Sequence, residues 1–242
     1  MNKNLIYIVS EDWYFLSHRL SLAKESMRKG YKVHVICKDT GMLEKIKGLG
    51  FYCYELKSNR SNTSLINLIK EILNIKSIIK SINPSIVHLV AFRSILLGLS
   101  TLILTNNIKI VVSITGLGSI FLSESLKVRL YKFLIISFLF INFKKKNIYI
   151  IVQNKDDFNF CLKTLKCRKD KISIIRGSGV DINYFKYTKE PLTSKIIVTF
   201  VGRLIKDKGI ETLINAFYSI NKTNKNINLL IAGSIDHLNP SA

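Results

Sequence analysis

Short apolar runs alternate along the chain with segments in which apolar residues recur every three or four positions. The runs predict buried strands and the periodic segments predict helices with one face toward a core. The clearest helix, residues 65–82, ends at Asn83-Pro84. The predicted strands are 5–9, 32–37, 51–56, 86–91, 108–114, 148–152 and 172–175, and the predicted helices between them are 15–29, 42–47, 65–82, 94–104, 126–143 and 156–165.

This order of elements predicts the fold class. Strict β-α-β-α alternation, with apolar strands that look buried on both faces, is typical of an α/β, doubly wound parallel sheet of the Rossmann-like kind. The polar segment 186–195 contains Pro191 and predicts a linker. We therefore expect a first domain over residues 1–188 and a second over 189–242.

The second domain is predicted to open with one β-α-β unit. Its strands are 196–201 and 227–232, and its helix is 210–221. Two strands and one helix leave both sheet edges uncovered. We therefore expect an incomplete second domain within these 242 residues.

The turn between the strand 196–201 and the next helix is strongly basic. It runs from Gly202 to Gly209 and carries Arg203, Lys206 and Lys208. A strand-to-helix turn presents free backbone N–H groups, and these with fixed positive charge suit a phosphate. We predict a phosphate-binding turn; an ordinary charged turn is the alternative.

Polar residues and glycines follow the strands of the first domain at their carboxyl ends, where open parallel sheets bind ligands. We predict a ligand cleft there. Ordinary turn glycines, a core His88, and Glu11 and Asp12 as mere helix N-terminal charges are the structural alternatives. The candidate cleft residues are Glu11, Asp12, His18, His88, Arg93, Thr115, Gly116, Gly177, Ser178 and Asp181.

Composition narrows the partners only slightly. Lys and Arg number 37 against 16 Asp and Glu, a net charge of +21, which implies anionic partners. Nucleic acid is not expected, because no recognition motif accompanies the charge. The four cysteines form no C-x-x-C pair and no metal-like grouping with histidine, so we expect no metal and a reducing, cytoplasmic setting.

The helix 126–143 raises the question of a membrane. Its uninterrupted apolar part, about residues 133–141, is shorter than the ~20 residues needed to span a bilayer. A buried helix that covers the sheet is the favoured interpretation. The alternative is a peripheral contact with anionic headgroups. The basic residues that flank the helix are Lys127, Arg129, Lys132, Lys144, Lys145 and Lys146.

Five motifs together resemble one known family. GRLIKDKGIETLINAF at 202–217 resembles the start of the C-terminal domain of family-4 retaining glycosyltransferases with the GT-B fold. The others resemble the branch of that family that builds capsular polysaccharide, O-antigen and related surface glycans. They are SEDWYFLSHRL at 10–20, ITGLGSIF at 114–121, VQNKDDF at 152–158 and IRGSGVDINYF at 175–185.

The resemblance implies two Rossmann-like domains that face a cleft. The N-terminal domain would hold a lipid-linked or glycan acceptor, and the C-terminal domain a nucleotide diphosphate sugar. Arg203 and Lys208 match the pair that neutralises the donor diphosphate, with Gly202 before them, so no metal or other cofactor is expected. The loop from Gly177 to Asp181 matches the one that closes the first domain.

The resemblance also has departures. Thr115 stands where many members carry a histidine. The family's Glu-x7-Glu segment lies later in the C-terminal domain than this sequence reaches, so we expect a truncated chain that is weakly active or inactive. The expected enzyme transfers a hexosyl or N-acetylhexosaminyl group at the cytoplasmic face of the membrane. A non-catalytic remnant or a membrane-associated acceptor-binding module is the alternative.

Overall fold

The structure is a computed structural model that describes residues 3–56, 65–116, 126–190 and 192–234. The chain divides into two compact units, Met1–Val180 and Asp181–Ala242, against a predicted boundary between residues 188 and 189. The strands are β1 Asn4–Glu11, β2 Lys32–Lys38, β3 Tyr52–Glu55, β4 Ile86–Val90, β5 Lys109–Ile114, β6 Ile148–Val152, β7 Ile172–Ile174, β8 Ile196–Val201 and β9 Ile227–Ala232. The helices are α1 Asp12–His18, α2 Leu20–Arg28, α3 Leu43–Gly48, α4 Leu65–Ile82, α5 Phe92–Thr101, α6 Leu126–Phe143, α7 Lys155–Lys163 and α8 Ile210–Thr223.

The first unit is built on one parallel sheet. Over the described residues its seven strands lie in the order β3-β2-β1-β4-β5-β6-β7, and every neighbouring pair is parallel. The central strand is buried on both faces: Ile6 and Ile8 pack into one core cluster, while Tyr7 and Val9 pack into the other. Successive side chains of a strand point to opposite faces, so both faces need covering helices. The predicted doubly wound sheet is confirmed.

The strand order places a crevice beside β1. This strand pairs with β2 on one side and β4 on the other, with Tyr7 opposite both Val35 and His88. The winding direction of the chain reverses at that point. Such a reversal leaves room for ligands outside the carboxyl ends of the strands.

The second unit contains the predicted β-α-β element. Strands β8 and β9 pair in parallel, and α8 connects them. Two glycines hold the chain together after these strands: the Gly202 N–H donates to the carbonyl oxygen of Ala232 at 3.0 Å, and a side chain at Gly233 would overlap the carbonyl oxygen of Gly202. The carboxyl ends of β8 and β9 are therefore tied closely together.

Helix α6 has the predicted bounds but not the predicted burial. Leu139 and Phe143 lie in the core, whereas Leu130, Tyr131 and Phe133 are more than half exposed. The prediction of a buried helix is thus wrong for one side of α6, because apolar residues surround this helix on all sides while the sheet covers only one. No helix in the described part of the chain has the length and apolarity that crossing a membrane requires.

The close contact between α5 and β4 generates a stability prediction. A methyl group at Gly98 on α5 would overlap the side chain of Leu89 on β4. We expect Gly98→Ala to lower the free energy of unfolding by about 1–3 kcal/mol, because the core must shift to admit the extra carbon. Urea denaturation measures this value.

Gly48→Ala is the matched control, because a side chain at this helical glycine would meet open space. We expect it to change the unfolding free energy little or to raise it. Leu89→Ala combined with Gly98→Ala should cost less than the sum of the two single changes. Strict additivity would contradict the proposed overlap.

Candidate functional site

A cavity of about 200 Å³ lies in the first unit at the carboxyl ends of three neighbouring strands. Residues at and just after the ends of β5, β6 and β7 form one wall, and the junction between α1 and α2 forms another. The side chains with polar groups that line it are His18, Arg19, Ser21, His88, Ser113, Gln153 and Ser178.

The structure brings four of the predicted cleft residues to this cavity. His18, His88, Gly177 and Ser178 all line it. The other described candidates of the first unit, Glu11, Asp12, Arg93, Thr115 and Gly116, are not among the lining residues. Asp181 belongs to the second unit.

Arg19 is the lining residue that sequence reasoning missed. It lies between α1 and α2, where the backbone leaves helical geometry (φ −125°, ψ −12°), so the predicted helix 15–29 is two helices. Arg19 joins the two helices: its N–H donates to the carbonyl oxygen of Phe15 in α1, and its carbonyl oxygen accepts from the Ala23 N–H in α2. The apolar periodicity is therefore almost unbroken. It placed Arg19 on a polar helix face and gave no sign of burial.

The guanidinium of Arg19 is buried and lacks a counterion in the described part of the chain. The residue is 9% exposed, and its Nε atom has no hydrogen-bond partner. An uncompensated buried charge costs about 3–5 kcal/mol, so proteins rarely leave one without a reason. A bound anion at the cavity would remove that cost.

His88 forms the inner wall of the cavity as a neutral imidazole. Its Nε2 lies 2.7 Å from the Ser113 hydroxyl oxygen, and its ring lies against Tyr7 with ring centres 5.1 Å apart. Burial, assisted by the positive charge of Arg19, lowers the pKa of His88 to about 3. His88 therefore offers a hydrogen-bonding group and no charge at neutral pH.

His18 lies at the rim of the cavity. Its ring stacks on Tyr14 with centres 4.4 Å apart, and its Nδ1 lies 2.6 Å from the Ser17 hydroxyl oxygen. Partial burial and then the charge of Arg19 lower the pKa of His18. Stacking and hydrogen bonding fix the ring at the rim.

The loop after β7 supplies backbone and a hydroxyl group. Gly177 (φ +71°) and Gly179 (φ +69°) both adopt the left-handed conformation, which residues other than glycine rarely adopt. Ser178 lies between them and lines the cavity together with Gly177. The two glycines thus shape a tight turn at the mouth of the cavity.

Asp12 has a structural part. It is 0% exposed, and its two oxygens accept four hydrogen bonds, from the N–H groups of Trp13, Thr40 and Met42 and from the Thr40 hydroxyl. Burial opposes ionisation, but these hydrogen bonds outweigh it and lower the pKa of Asp12. The carboxylate therefore anchors the loop after β2 and has no lone pair to spare for a ligand.

The side chains of Arg93 and Glu11 also form hydrogen bonds within the first unit. Arg93 Nη2 donates to both carboxylate oxygens of the buried Glu71, at 2.9 and 2.7 Å. Glu11 accepts a hydrogen bond of 2.7 Å from the Trp13 indole. We assign both residues structural parts, because partners within the first unit satisfy them: Trp13 lies two positions from Glu11, whereas Glu71 lies 22 positions from Arg93.

Thr115 and Gly116 directly follow β5, next to the cavity residues Ser113 and Ile114. Gly116 has a φ of +140°. The remainder of the ITGLGSIF motif, residues 117–121, lies outside the described residues.

The second unit carries the predicted phosphate-binding turn. Arg203 and Lys208 are exposed, and the buried Ile205 anchors the turn between them. Gly209 adopts φ +73° and begins α8, whose first N–H groups have no carbonyl partner within the helix. Helix N-termini of this kind bind anions. Lys206 instead lies 3.7 Å from Glu211.

Within the described residues, no group of three or more His, Cys, Asp and Glu side chains could hold a metal ion. The four cysteines are free thiols. That the reaction needs no metal ion remains a prediction.

The fold and the two candidate sites define a class: two parallel α/β units, one with a polar cavity and one with a basic turn between a strand and a helix. The family model described as glycosyl transferase 4-like matches residues 4–154, and the model for glycosyl transferases group 1 matches residues 184–240. The chain belongs to the glycosyl transferase 4-like family.

One characterised relative comes from Campylobacter jejuni, N,N'-diacetylbacillosaminyl-diphospho-undecaprenol alpha-1,3-N-acetylgalactosaminyltransferase. It is 22% identical over 247 residues, which cover 94% of this chain and 64% of the relative. An uncharacterised glycosyltransferase of Methanocaldococcus jannaschii is 36% identical over 91 residues, or 36% of this chain and 23% of that protein. This chain therefore spans just under two thirds of the length of the first relative.

Solved structures of low identity share the fold. The sucrose-phosphate synthase of Thermosynechococcus elongatus superposes with a TM-score of 0.70 at 14% identity, over 99% of this chain and 64% of that one. A glycosyltransferase of Rickettsia africae gives 0.61 at 15% identity, over 96% and 68%. The predicted GT-B type of fold is confirmed.

The network around Asp12 generates a prediction of pH dependence. We expect Asp12→Asn to cost about 2–3 kcal/mol of unfolding free energy at pH 7, because an amide nitrogen would face N–H donors. A carboxylate whose folded pKa is lowered stabilises the fold above its ordinary pKa of about 3.9, and this stability is lost as the pH falls through the folded pKa. The cost of Asp12→Asn should therefore shrink below about pH 4.

Urea denaturation between pH 7 and pH 3 measures this cost. Asp39→Asn is the control, because this exposed side chain accepts from Gly41 N–H and an asparagine can do the same. A pH-independent cost of Asp12→Asn would contradict the assignment of an ionised, anchoring carboxylate.

Proposed function

We propose that this chain belongs to an enzyme that transfers a sugar from a nucleotide diphosphate sugar to a lipid-linked or glycan acceptor. Its family membership supports the reaction class, and the basic turn Gly202–Gly209 supports the donor. The reaction breaks the bond between the sugar C1 and the donor phosphate oxygen and forms a bond from C1 to an acceptor hydroxyl oxygen. The nucleoside diphosphate departs with the electron pair of the broken bond, and the hydroxyl proton is released to water.

Arg203 and Lys208 carry the proposed chemistry. Negative charge grows on the leaving diphosphate as the C1–O bond breaks, so cations that wait at that place stabilise the transition state more than the ground state. Arg203 offers a planar fork of donors and Lys208 a compact charge. With two cations and the N–H groups of α8, the turn can hold a diphosphate without a metal.

The finer assignment follows the family resemblance. We propose that the sugar is a hexosyl or N-acetylhexosaminyl group transferred with retention, in the synthesis of a bacterial surface polysaccharide such as capsule or O-antigen. The Campylobacter jejuni relative, whose name specifies an undecaprenol diphosphate acceptor, supports a lipid-linked acceptor. Such an acceptor places the reaction at the cytoplasmic face of a membrane.

The proposal predicts unequal effects for neighbouring cations of one turn. We expect Arg203→Ala and Lys208→Ala each to lower kcat by roughly 10²-fold or more, because stabilisation of the leaving group is lost. Lys206→Ala removes the same charge from the same turn, but Lys206 faces Glu211, so its effect should stay within a few-fold. Transfer of radiolabelled sugar to a polyprenyl diphosphate acceptor measures all three. A near-wild-type kcat in Arg203→Ala would contradict the proposed role of Arg203 in stabilising the leaving diphosphate.

We further propose a peripheral membrane contact through α6. Exposed apolar side chains cover one side of this helix, and exposed basic residues flank it. Lys145 is excluded, since its ammonium donates to the carbonyl oxygen of Ile103. Lys132 is half-buried, and the side chain of Lys127 lies outside the described residues. The contact residues are Arg129, Leu130, Tyr131, Phe133, Leu134, Ile141, Lys144 and Lys146.

Sedimentation with lipid vesicles tests this contact. Binding to vesicles that contain phosphatidylglycerol should exceed binding to pure phosphatidylcholine, because each basic residue near an anionic surface adds about 1 kcal/mol. Phe133→Glu should lower the affinity for anionic vesicles at least fivefold. Leu65→Glu, an equally exposed apolar residue of α4, is the control. Equal losses in both variants would contradict a specific role of α6.

A further inference from the structure

We propose that the Arg19 cavity is a binding subsite for a single phosphate group. The observation that carries the proposal is the buried guanidinium of Arg19 at the wall of a polar cavity. All residues that line the cavity belong to the first unit.

The cavity offers a fixed positive charge and no opposing one. Among the described residues that line it, Arg19 is the one that is permanently charged, and none is acidic. The Nε atom of Arg19 makes no hydrogen bond. Elsewhere in this unit, Arg93 and Arg168 are each held by a carboxylate. Arg19 therefore has an unmet requirement for an oxyanion.

The N-terminus of α2 adds donors at the same place. This helix has nine residues and begins at Leu20, directly after Arg19. Ser21 and Leu22 of its first turn line the cavity. N–H groups of a first helical turn have no carbonyl partner within the helix, and the helix dipole favours negative charge there. A phosphate would thus find backbone N–H groups beside the guanidinium.

Hydroxyl and imidazole groups complete the lining. Ser113, hydrogen-bonded to the neutral His88, and Ser178 both line the cavity. Phosphate oxygens accept hydrogen bonds from hydroxyl, N–H and guanidinium donors alike. None of these neutral groups repels an anion.

The volume limits the ligand to one group. The cavity measures about 200 Å³. Pockets for whole drug-sized ligands span about 300–1,000 Å³. The cavity therefore fits a phosphate and not an entire nucleotide sugar.

The source of the phosphate rests on the proposed function. A prenyl diphosphate acceptor and a nucleotide diphosphate donor present the same chemistry. Titration with geranyl diphosphate and with UDP separates them: the source is the ligand whose affinity falls when Arg19 is changed. The subsite itself is tested with inorganic phosphate, which requires no sugar transfer.

The test is calorimetric titration of inorganic phosphate into the full chain carrying Arg203→Ala, at constant ionic strength. This background weakens phosphate binding at the second unit. Arg19→Met should raise the Kd for phosphate at least tenfold. Arg28→Met removes the same charge from the far end of α2, but Arg28 is exposed and bonded to Glu25, so the Kd should stay within twofold. An unchanged Kd in Arg19→Met would overturn the proposal.

A second variant keeps the test decisive if Arg19→Met fails to fold. Ser21 is exposed, and Ser21→Asp brings a carboxylate to the N-terminus of α2. It should raise the Kd for phosphate at least fivefold, because the carboxylate repels phosphate and competes for Arg19. Phosphate binding as tight as in the parent would overturn the proposal. Loss of transferase activity in Arg203→Ala with intact phosphate binding at Arg19 separates the two sites.

Discussion

The parallel pairing of β1 with both β2 and β4 is the constraint on which the first unit depends. Parallel strands need crossover connections, so a central strand with neighbours on both sides has helices on both faces and is apolar along its middle. Tyr7, Ile6 and Ile8 meet this demand by complete burial. Two of the polar side chains that line the cavity, His88 and Ser113, lie within β4 and β5, and the others come from segments outside the strands.

The charged residues at this edge differ in whether the described part of the chain supplies their partners. Asp12 and Arg93 find partners in Thr40 and Glu71, and their charges are used to hold loops and helices in place. Arg19 is buried among uncharged groups and has no such partner in the described part of the chain. The same physical cost that makes Asp12 an anchor makes Arg19 a candidate ligand-binding residue. In this account, the charge of a structural residue at the sheet edge is paired by the chain itself, whereas the charge of a ligand-binding residue is paired by the ligand.

The alternation of apolar runs and periodic segments predicted the sheet and the β-α-β start of the second unit, because strand burial and helix faces are local properties of the sequence. The cavity was only half predicted. The expectation that ligands bind at the carboxyl ends of parallel strands identified four lining residues. They are His18, His88, Gly177 and Ser178. Arg19 was missed because its burial depends on a bend between α1 and α2 that leaves the periodicity intact. The partners of Asp12 and Arg93 are distant in sequence, so their structural parts could not be foreseen.

A crystal structure of the chain grown in phosphate tests the central claim most directly, because it shows what satisfies the Arg19 guanidinium. The account predicts a tetrahedral anion within hydrogen-bond distance of Arg19 and of an N–H group in the first turn of α2. A carboxylate of the chain itself bonded to Arg19, with water alone in the cavity, would contradict it.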